Sequence, residues 1–411
     1  MSIQISFEKT VGSIVTAQEH LHFVTVKDAD FRSCWLEFLR LLPMFGFCQH
    51  PAVFEYYQML SAPDSLNLTF LIRNDEGIPI ALVPLLVERI NGRMYASLRG
   101  GFLPHPIFHP HLSAKQLRAL ENFCFEVIIK QLKASGVVRW YAEADIFQTG
   151  TDALEDQMLA RFEGLDVSIQ CHVMDLTASD EDLWQQIRHS IKRNINRGLK
   201  VYEFRVYDKT NFTFEIGEKH RLLHHKCSGR ITRPIPTFHK MYSWIQEDCG
   251  LMFEQLHNGE TVLMAFVAVG KHAAFGASAA DDPDFKWEIP MMHSMTYFIL
   301  KECQRRGIKY FDIGETSYRD TLFNIRTDKE KTICDFKRGF GRQTMPCKRW
   351  IWFSSAEEEL AFFEEQFSKY KSTHLTKRTA QNFVSLDEGE YEYSSVRVWI
   401  DGEFEPVKVV R

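Results

Sequence analysis

The chain has 411 residues, 45% of them hydrophobic and 25% charged, with a formal net charge of −5. That length and apolar content suit two domains, each able to bury a core. The near balance of charge excludes a global field that would gather nucleic acid or anionic membrane, and no run approaching 18 apolar residues offers a bilayer-spanning helix.

Nine cysteines (Cys34, Cys48, Cys124, Cys171, Cys227, Cys249, Cys303, Cys334 and Cys347) are odd in number and never spaced C-x-x-C. They support neither a disulfide framework nor a zinc site, and a reducing compartment follows. The opening MSIQISFEKTVGSIVTAQEH carries acids and polar residues where a signal peptide has a basic start and an apolar run. The expected location is the cytoplasm.

In chain order, an aromatic-rich helical segment from Asp30 to Leu60 precedes an apolar strand, LTFLIR. A polar turn at Asn74, Asp75, Glu76 and Gly77 leads to a return strand, IPIALVPLLVERI, and a third strand lies near Arg93 to Leu98. A helix from about Ser113 to Ala134, stopped at Gly136, delivers the strand VVRWYAEAD. Residues Phe147 to Asp182 form a connection whose strand SIQCHVMDL is placed to open a second sheet. The order then repeats. A helical segment from Phe214 to Asp248 leads to LMFEQL, a turn at His257, Asn258, Gly259 and Glu260, then TVLMAFVAVG and HAAFGASAA. A helix from Pro290 to Arg306, capped by Gly307, and the strand IKYFDIGE follow. Helix, hairpin, strand, helix and strand occurring twice predicts duplication of one mixed α/β unit. A C-terminal extension adds the helical stretch SAEEELAFFEEQFSKYK and a hairpin turning at Asp401 and Gly402. The domains expected are 1–150, 151–350 and the extension 351–411.

Reactive side chains concentrate in Tyr310–Gly341, YFDIGETSYRDTLFNIRTDKEKTICDFKRGFG. The strand delivers Asp312 and Glu315 to its C-terminal end, and a following segment places Lys337 and Arg338 between Phe336 and Phe340. Regular alternation sends Asp312 and Glu315 to opposite faces unless the chain turns at Gly314. A strand-end carboxylate whose pKa is raised by partial burial can take the proton of an attacking amine. The plain alternative is a carboxylate paired with a neighbour such as Arg319. Lys337 suits a phosphate, a carboxylate or an oxyanion, against a solvated lysine on an amphipathic strand. Tyr318 suits protonation of a leaving group, although buried tyrosines commonly just satisfy their hydroxyl. His225 is a candidate base in HHKCSGR, whose Arg230 ends a substrate loop.

Arg188, Lys192, Arg193, Arg197 and Lys200 form two basic rows beside Ile187, Ile191 and Ile195 on one helix. They could grip the phosphates of a sugar nucleotide, a lipid-linked diphosphate, coenzyme A or tRNA; a solvated face is the default for such a run. No aromatics interleave, so neither single-strand recognition nor DNA gains support. His105, His109 and His111 invite a metal reading, but prolines at 104, 106 and 110 prevent a helix from aligning them, so no metal is expected. A first-domain loop in which His105 and His109 line an acceptor pocket is the functional alternative. No G-x-S-x-G elbow, P-loop or dinucleotide fingerprint is present.

Three segments together resemble the GNAT-like acyltransferases, specifically the Fem-type aminoacyltransferases and the related acetyltransferases of bacterial polysaccharide gene clusters. They are FCQHPAVFEYY with its NDEG turn and IPIALVPLLVE, then DLWQQIRHSIKRNINRGLK, then Tyr310–Gly341, and they cover roughly residues 30 to 345. The resemblance implies an α/β (α+β) chain of two tandem GNAT-like domains, each a mixed, mostly antiparallel sheet flanked by helices. It places the cleft in the second domain and at the junction. It implies transfer of an acyl or aminoacyl group to the amine of an amino sugar or other cell-envelope precursor, small or lipid-linked, in the bacterial cytoplasm or at the inner membrane face. Phe336 and Lys337 match the family's phenylalanine-lysine pair, and Asp312 and Gly314 match its strand end. Acyl-CoA is the implied co-substrate, with no permanently bound cofactor.

One departure bears on the donor. Where coenzyme A-dependent GNAT enzymes place a glycine-rich loop before a helix to hold the pyrophosphate, this chain has DDPDFKWEIP, with four acids and no glycine. The first unit offers Arg99, Gly100 and Gly101, which would equally serve a plain turn. Aminoacyl-tRNA therefore stays open as donor, although no helical-hairpin arm of the Fem type interrupts the second unit. A catalytically inactive duplicate that binds a precursor is the reading from another class.

Overall fold

The computed structural model describes residues 21–147, 164–286, 289–317, 320–341, 343–375, 397–400 and 403–406. It divides into two compact units, residues 1–320 with 326–361, and residues 321–325 with 362–411.

In the larger unit the first repeat opens with β1 (His22–Thr25). The expected helical segment 30–60 is two helices, α1 (Phe31–Leu41) and α2 (Pro51–Leu60), joined through a 3-10 turn at Phe47–Gln49. Proline explains the break: Pro51 is favoured at a helix start, and the His50 side chain caps that start by accepting from the Ala52 N–H. Strands β2 (Leu66–Asn67), β3 (Phe70–Arg73), β4 (Pro79–Val83), β5 (Leu86–Ile90), β6 (Arg93–Ala96), β7 (Leu103–Pro104) and β8 (Ile107–Phe108) follow. The single return strand expected over 78–90 is divided at Pro84, which lacks a ladder donor, and its two pieces enter different sheets. Helix α3 (Ala114–Ala134) begins at a Ser113 capping box and ends before Gly136 at φ 65°, delivering β9 (Val137–Glu143).

The second repeat contains β10 (Leu165–Asp166), β11 (Ile169–Asp175), α4 (Asp180–Gln186), α5 (His189–Val201) and β12 (Glu203–Tyr207). Helices α6 (Phe214–Ser228) and α7 (Ile235–Gln246) replace the single expected helical segment, parted by Gly229 at φ 66° and Pro234. Then come β13 (Gly250–His257), β14 (Glu260–Val269), β15 (Ala273–Asp281), α8 (Met291–Arg305), β16 (Tyr310–Thr316), α9 (Asp328–Lys337), β17 (Gln343–Cys347) and β18 (Arg349–Phe353).

Three mixed or antiparallel sheets result, in the orders β1-β3-β4-β8, β10-β18-β9-β6-β5-β2 and β12-β13-β14-β15-β16-β11-β17. Two features were not visible locally. Strand β11 does not sit at the start of its sheet but between β16 and β17. Strand β18 leaves the second repeat and pairs antiparallel with β9 of the first, Arg349 opposite Glu143.

The repeats differ at their parallel strand pair. In the second, β15 and β16 pair only from Ala273–Phe275 against Tyr310–Asp312, and both strands run on unpaired with each other, leaving a wedge. In the first, β7 continues the pairing, Leu103 opposite Ala142 and Pro104 opposite Glu143, so the wedge is filled. The Arg99–Gly101 stretch is a turn held by the buried Glu88 carboxylate, which accepts from Ser97 Oγ at 2.5 Å and the Gly100 N–H at 3.2 Å. It is not a helix start.

One apolar core crosses the repeats, joining Trp35, Phe54, Phe70 and Trp140 to Phe238, Trp244 and Phe266. Each such fully buried side chain contributes about 2 to 3 kcal/mol. A second core packs Ile191 and Ile195 of α5 with Met295, Ile299 and Phe340. Helix α10 (Ala356–Tyr370) starts in this unit, where Glu358 pairs with the buried Arg139 at 2.7 Å. In the smaller unit Phe323 stacks on Phe362, and strands β19 (Arg397–Ile400) and β20 (Glu403–Pro406) form the expected antiparallel hairpin. Its turn, Asp401 and Gly402, lies outside the described residues. Among the described residues no helix is long and apolar enough to cross a membrane.

Candidate active site

Both repeats end a central strand in acids, and the fold turns the two ends toward one cavity of about 150 Å³. Strand β9 and the residues after it supply Glu143 and Asp145, and β16 supplies Asp312 and Glu315. The Gly46–Gln49 turn, Phe102, Pro104, Phe275 and Arg349 complete the walls.

Gly314 decides which side chains meet. Its φ of 102° and a bulge opposite His172 and Val173 leave Ile313 without a partner, His172 facing Gly314 and Val173 facing Asp312. Alternation is broken there, so Asp312 and Glu315 reach the same cavity rather than opposite faces. Phe336 and Lys337 lie on the last turn of α9, a helix begun by a Thr327 capping box, and not on a strand. Lys337 Nζ donates to the Glu315 carbonyl at 3.3 Å, and a Cβ at position 314 would stand 2.5 Å from that nitrogen.

The four acids differ in state. Burial pushes the pKa of Asp312 up to about 6; the Gly314 N–H it accepts at 2.7 Å and the Lys337 charge oppose the shift, and Glu143 and Asp145 add to it. Glu315 pairs with Arg326 and, at 3.1 Å, with Arg349, which also pairs with Glu143. Arg349 thus ties the strand ends of both repeats together. Asp145 accepts from the Gly46 N–H at 2.5 Å and the Phe147 N–H at 3.0 Å, pinning the turn that walls the cavity, and burial raises its pKa. Asp312 and Asp145 have no ion pair among the described residues. Cys48 is an exposed residue at the edge of the cavity, where desolvation by the surrounding walls and the carboxylates of Glu143, Asp145 and Asp312 push its thiol up, away from a nucleophilic thiolate.

Other expected residues lie elsewhere. Arg338 donates to the Ser317 carbonyl at 2.6 Å and pairs with Asp335, holding the strand end. Tyr318 and Arg319 lie outside the described residues. His225 is inside α6, near Arg221 and 5.4 Å from the Phe238 ring, and Arg230 is exposed after that helix; neither lines the cavity. From the histidine-rich stretch Phe102 and Pro104 line the cavity, while His105 is buried near Trp350 and His109 caps a turn by accepting from His111 N–H. Among the described residues none of Arg188, Lys192, Arg193, Arg197 and Lys200 has an ion pair, in contrast to most other arginines here. Their helix α5 runs from α9, where Arg188 N–H donates to Gly339 at 2.9 Å, to the start of α8, where Tyr202 just beyond it reaches Ile289 at 3.2 Å.

Sequence reasoning missed Glu143, Asp145, Arg349 and Arg233. The repeat itself was the available signal for the first two, since YAEAD and FDIGE end equivalent strands. Arg233 is half-buried, donates to Tyr56 Oη at 2.9 Å and lies 4.1 Å over the Phe238 ring. Its Nε and Nη2 are buried and have no partner among the described residues. His50, Glu247 and Cys249 bring ligand-type atoms within 4.8 Å of one another. The His50 Nδ1 already accepts from Ala52, which leaves the ring proton on Nε2, and Arg32 pairs with Glu247 at 2.6 Å, so the trio is set against a cation.

Between β14, the end of β15 and the start of α8 a groove of about 620 Å³ is lined by Leu263, Phe285, Ile289, Met291 and Met292. Asp282 and Asp284 of the preceding loop pair with Lys226 at 2.6 and 2.9 Å. The loop is an ion-paired bridge without the glycine cradle of a pyrophosphate site.

No protein-family model matches the chain, and no curated protein matches it in sequence. Solved structures do match in fold. FemX superposes with a TM-score of 0.59 at 14% identity, over 81% of this chain and 97% of FemX. The C-terminal domain of an Agrobacterium fabrum chain assigned as lysylphosphatidylglycerol synthetase gives 0.53 at 10% identity, over 80% and 94%. A conserved protein of unknown function from Bacteroides thetaiotaomicron gives 0.50 at 11% identity, over 81% and 99%. The chain shares its fold with FemX, a mixed α/β fold, in line with the Fem-type resemblance.

Proposed function

We propose that this chain is an N-acyltransferase that passes an acyl group from an activated donor directly to an amine, with Asp312 as the base. The observation that carries the reading is a half-buried carboxylate whose desolvation raises its pKa to about 6, without an ion pair among the described residues, lining a cavity and close to Lys337. That pKa lets the group be ionised at neutral pH and still hold a proton during transfer. The amine nitrogen attacks the acyl carbon, Asp312 takes the ammonium proton, and the Lys337 ammonium meets the oxygen on which charge develops. The leaving thiolate or ribose oxygen then departs. Glu315 and Glu143, neutralised by Arg326 and Arg349, fix the geometry.

The acceptor is the amine of an amino sugar or related cell-envelope precursor, free or lipid-linked, met on the cytoplasmic side. Arg233 is the group for its phosphate or carboxylate. The donor is an acyl-CoA entering the second repeat's wedge, because β7 fills the equivalent place in the first. Its phosphates fall to Arg188 and the four cations of α5. The same unpaired cations, together with the missing glycine cradle, favour a second reading in which the donor is an aminoacyl-tRNA.

The test is to incubate the protein with acetyl-CoA or mixed aminoacyl-tRNA and a panel of UDP-linked amino sugars, following products by mass spectrometry. A product lost in Asp312→Asn supports the reading, and the donor that yields it separates the two versions. No product with either donor, with precursor binding equal in parent and Asp312→Asn, hands the site to the binding-module reading.

A further inference from the structure

Gln49 ends the 3-10 turn that walls the cavity. Its backbone is fully used: the N–H donates to the Gly46 carbonyl at 3.1 Å, and the carbonyl accepts from Trp35 Nε1 at 2.9 Å. The residue is only 1% exposed and borders the cavity with Asp145 and Asp312, and neither Oε1 nor Nε2 of its sealed side chain has a partner among the described residues. Gln131 and Gln255 also bury unpaired amides, but Gln49 is the one of the three that lines this cavity. Each buried polar group left unsatisfied costs about 1 to 3 kcal/mol. A leucine would fill the same volume without that cost, so the amide requires an explanation outside packing.

We infer that Gln49 determines acceptor specificity by reading a neutral hydrogen-bonding pair beside the reacting amine. Nε2 donates to an acceptor atom of the substrate, and Oε1 accepts from a donor next to it. An amide's two atoms match groups that present acceptor and donor on the same side. Two such groups occur in amine-bearing precursors, the vicinal hydroxyls of a sugar and the N–H and C=O of one extended peptide residue. The inference rests on the acyl-acceptor reading of this cavity. The Asp145 bond to Gly46 makes the arrangement selective, because it fixes the turn and keeps the amide from swinging out. A site built around such a pair rejects an amine lacking it, since the Gln49 atoms would then be sealed in unpaired.

The experiment measures calorimetric binding of glucosamine, glycylglycinamide and cyclohexylamine to the full chain and to Gln49→Leu, Gln49→Met and Asp312→Asn. Both Gln49 substitutions leave the backbone bonds in place, and thermal melts check folding. The expected result is at least tenfold tighter binding of glucosamine or glycylglycinamide than of cyclohexylamine, with the preference lost in both Gln49 variants. Whichever of the two binds better identifies the pair. Equal binding of all three amines overturns the inference, as does a preference that survives both substitutions or binding of none. If the three bind equally and all are lost in Asp312→Asn, the acceptor reading stands while the role of Gln49 falls.

Discussion

Replacing Asp312 by asparagine isolates the proton-accepting role, because the Oδ1 that accepts from Gly314 N–H is kept. Burial raises the folded-state pKa to about 6, whereas an unperturbed aspartate titrates near ~3.9. The folded chain therefore binds this proton more tightly than the unfolded chain. Below about pH 4 both states are protonated and the residue costs nothing. Between about pH 4 and 6 the unfolded chain ionises first, so stability falls as pH rises, and above 6 the full penalty is present. Two pKa units correspond to about 3 kcal/mol, so the asparagine variant is expected to be more stable than the parent at pH 8 by about 1 to 3 kcal/mol, and equal to it at pH 4. Urea unfolding at both values reads this difference. In the transfer assay the limb near pH 6 should vanish, with a rate loss of about 10²- to 10⁴-fold. Equal unfolding midpoints at pH 8, or a rate within threefold of the parent, would refute the assignment.

Lys337→Met should lower the transfer rate by about 10²- to 10³-fold with acceptor affinity unchanged; a loss confined to affinity would make the lysine a binding group. Gly314→Ala should lower stability by about 1 to 3 kcal/mol in thermal or urea unfolding, because position 314 has positive φ and crowds Lys337. Arg139→Met leaves the buried Glu358 carboxylate with Arg93 as its remaining cation and should cost about 3 to 5 kcal/mol; an unchanged melt would show that α10 is not anchored there. Arg193→Glu combined with Arg197→Glu should raise the donor KM at least tenfold and flatten its salt dependence, read by titrating donor at two ionic strengths.

The helices and strands that could be read from the sequence are those whose instructions are local. Ser113 and Gly136 bracket α3, Gly307 follows α8, and the alternation in IKYFDIGE gives β16, as expected. Asp312 and Lys337 could be nominated because a strand-end acid and a lysine among phenylalanines are both short-range patterns. Errors came where a local signal had two meanings: Pro84 moved the chain from one sheet to another, and the Phe336–Lys337 segment formed a helical turn.

Composition, periodicity and caps determined the broad order of helices and strands, its repetition and the acid-bearing end of β16. Tertiary structure decided which of these acids are ion-paired. Arg349 lies 206 residues from Glu143 and 34 from Glu315, and it pairs with both because β18 crosses to β9. That crossing neutralises two carboxylates and leaves Asp312 half-buried beside them, where desolvation raises its pKa. Ion pairing and desolvation depend on distances through space, and those distances exist only once β18 has crossed to the first repeat.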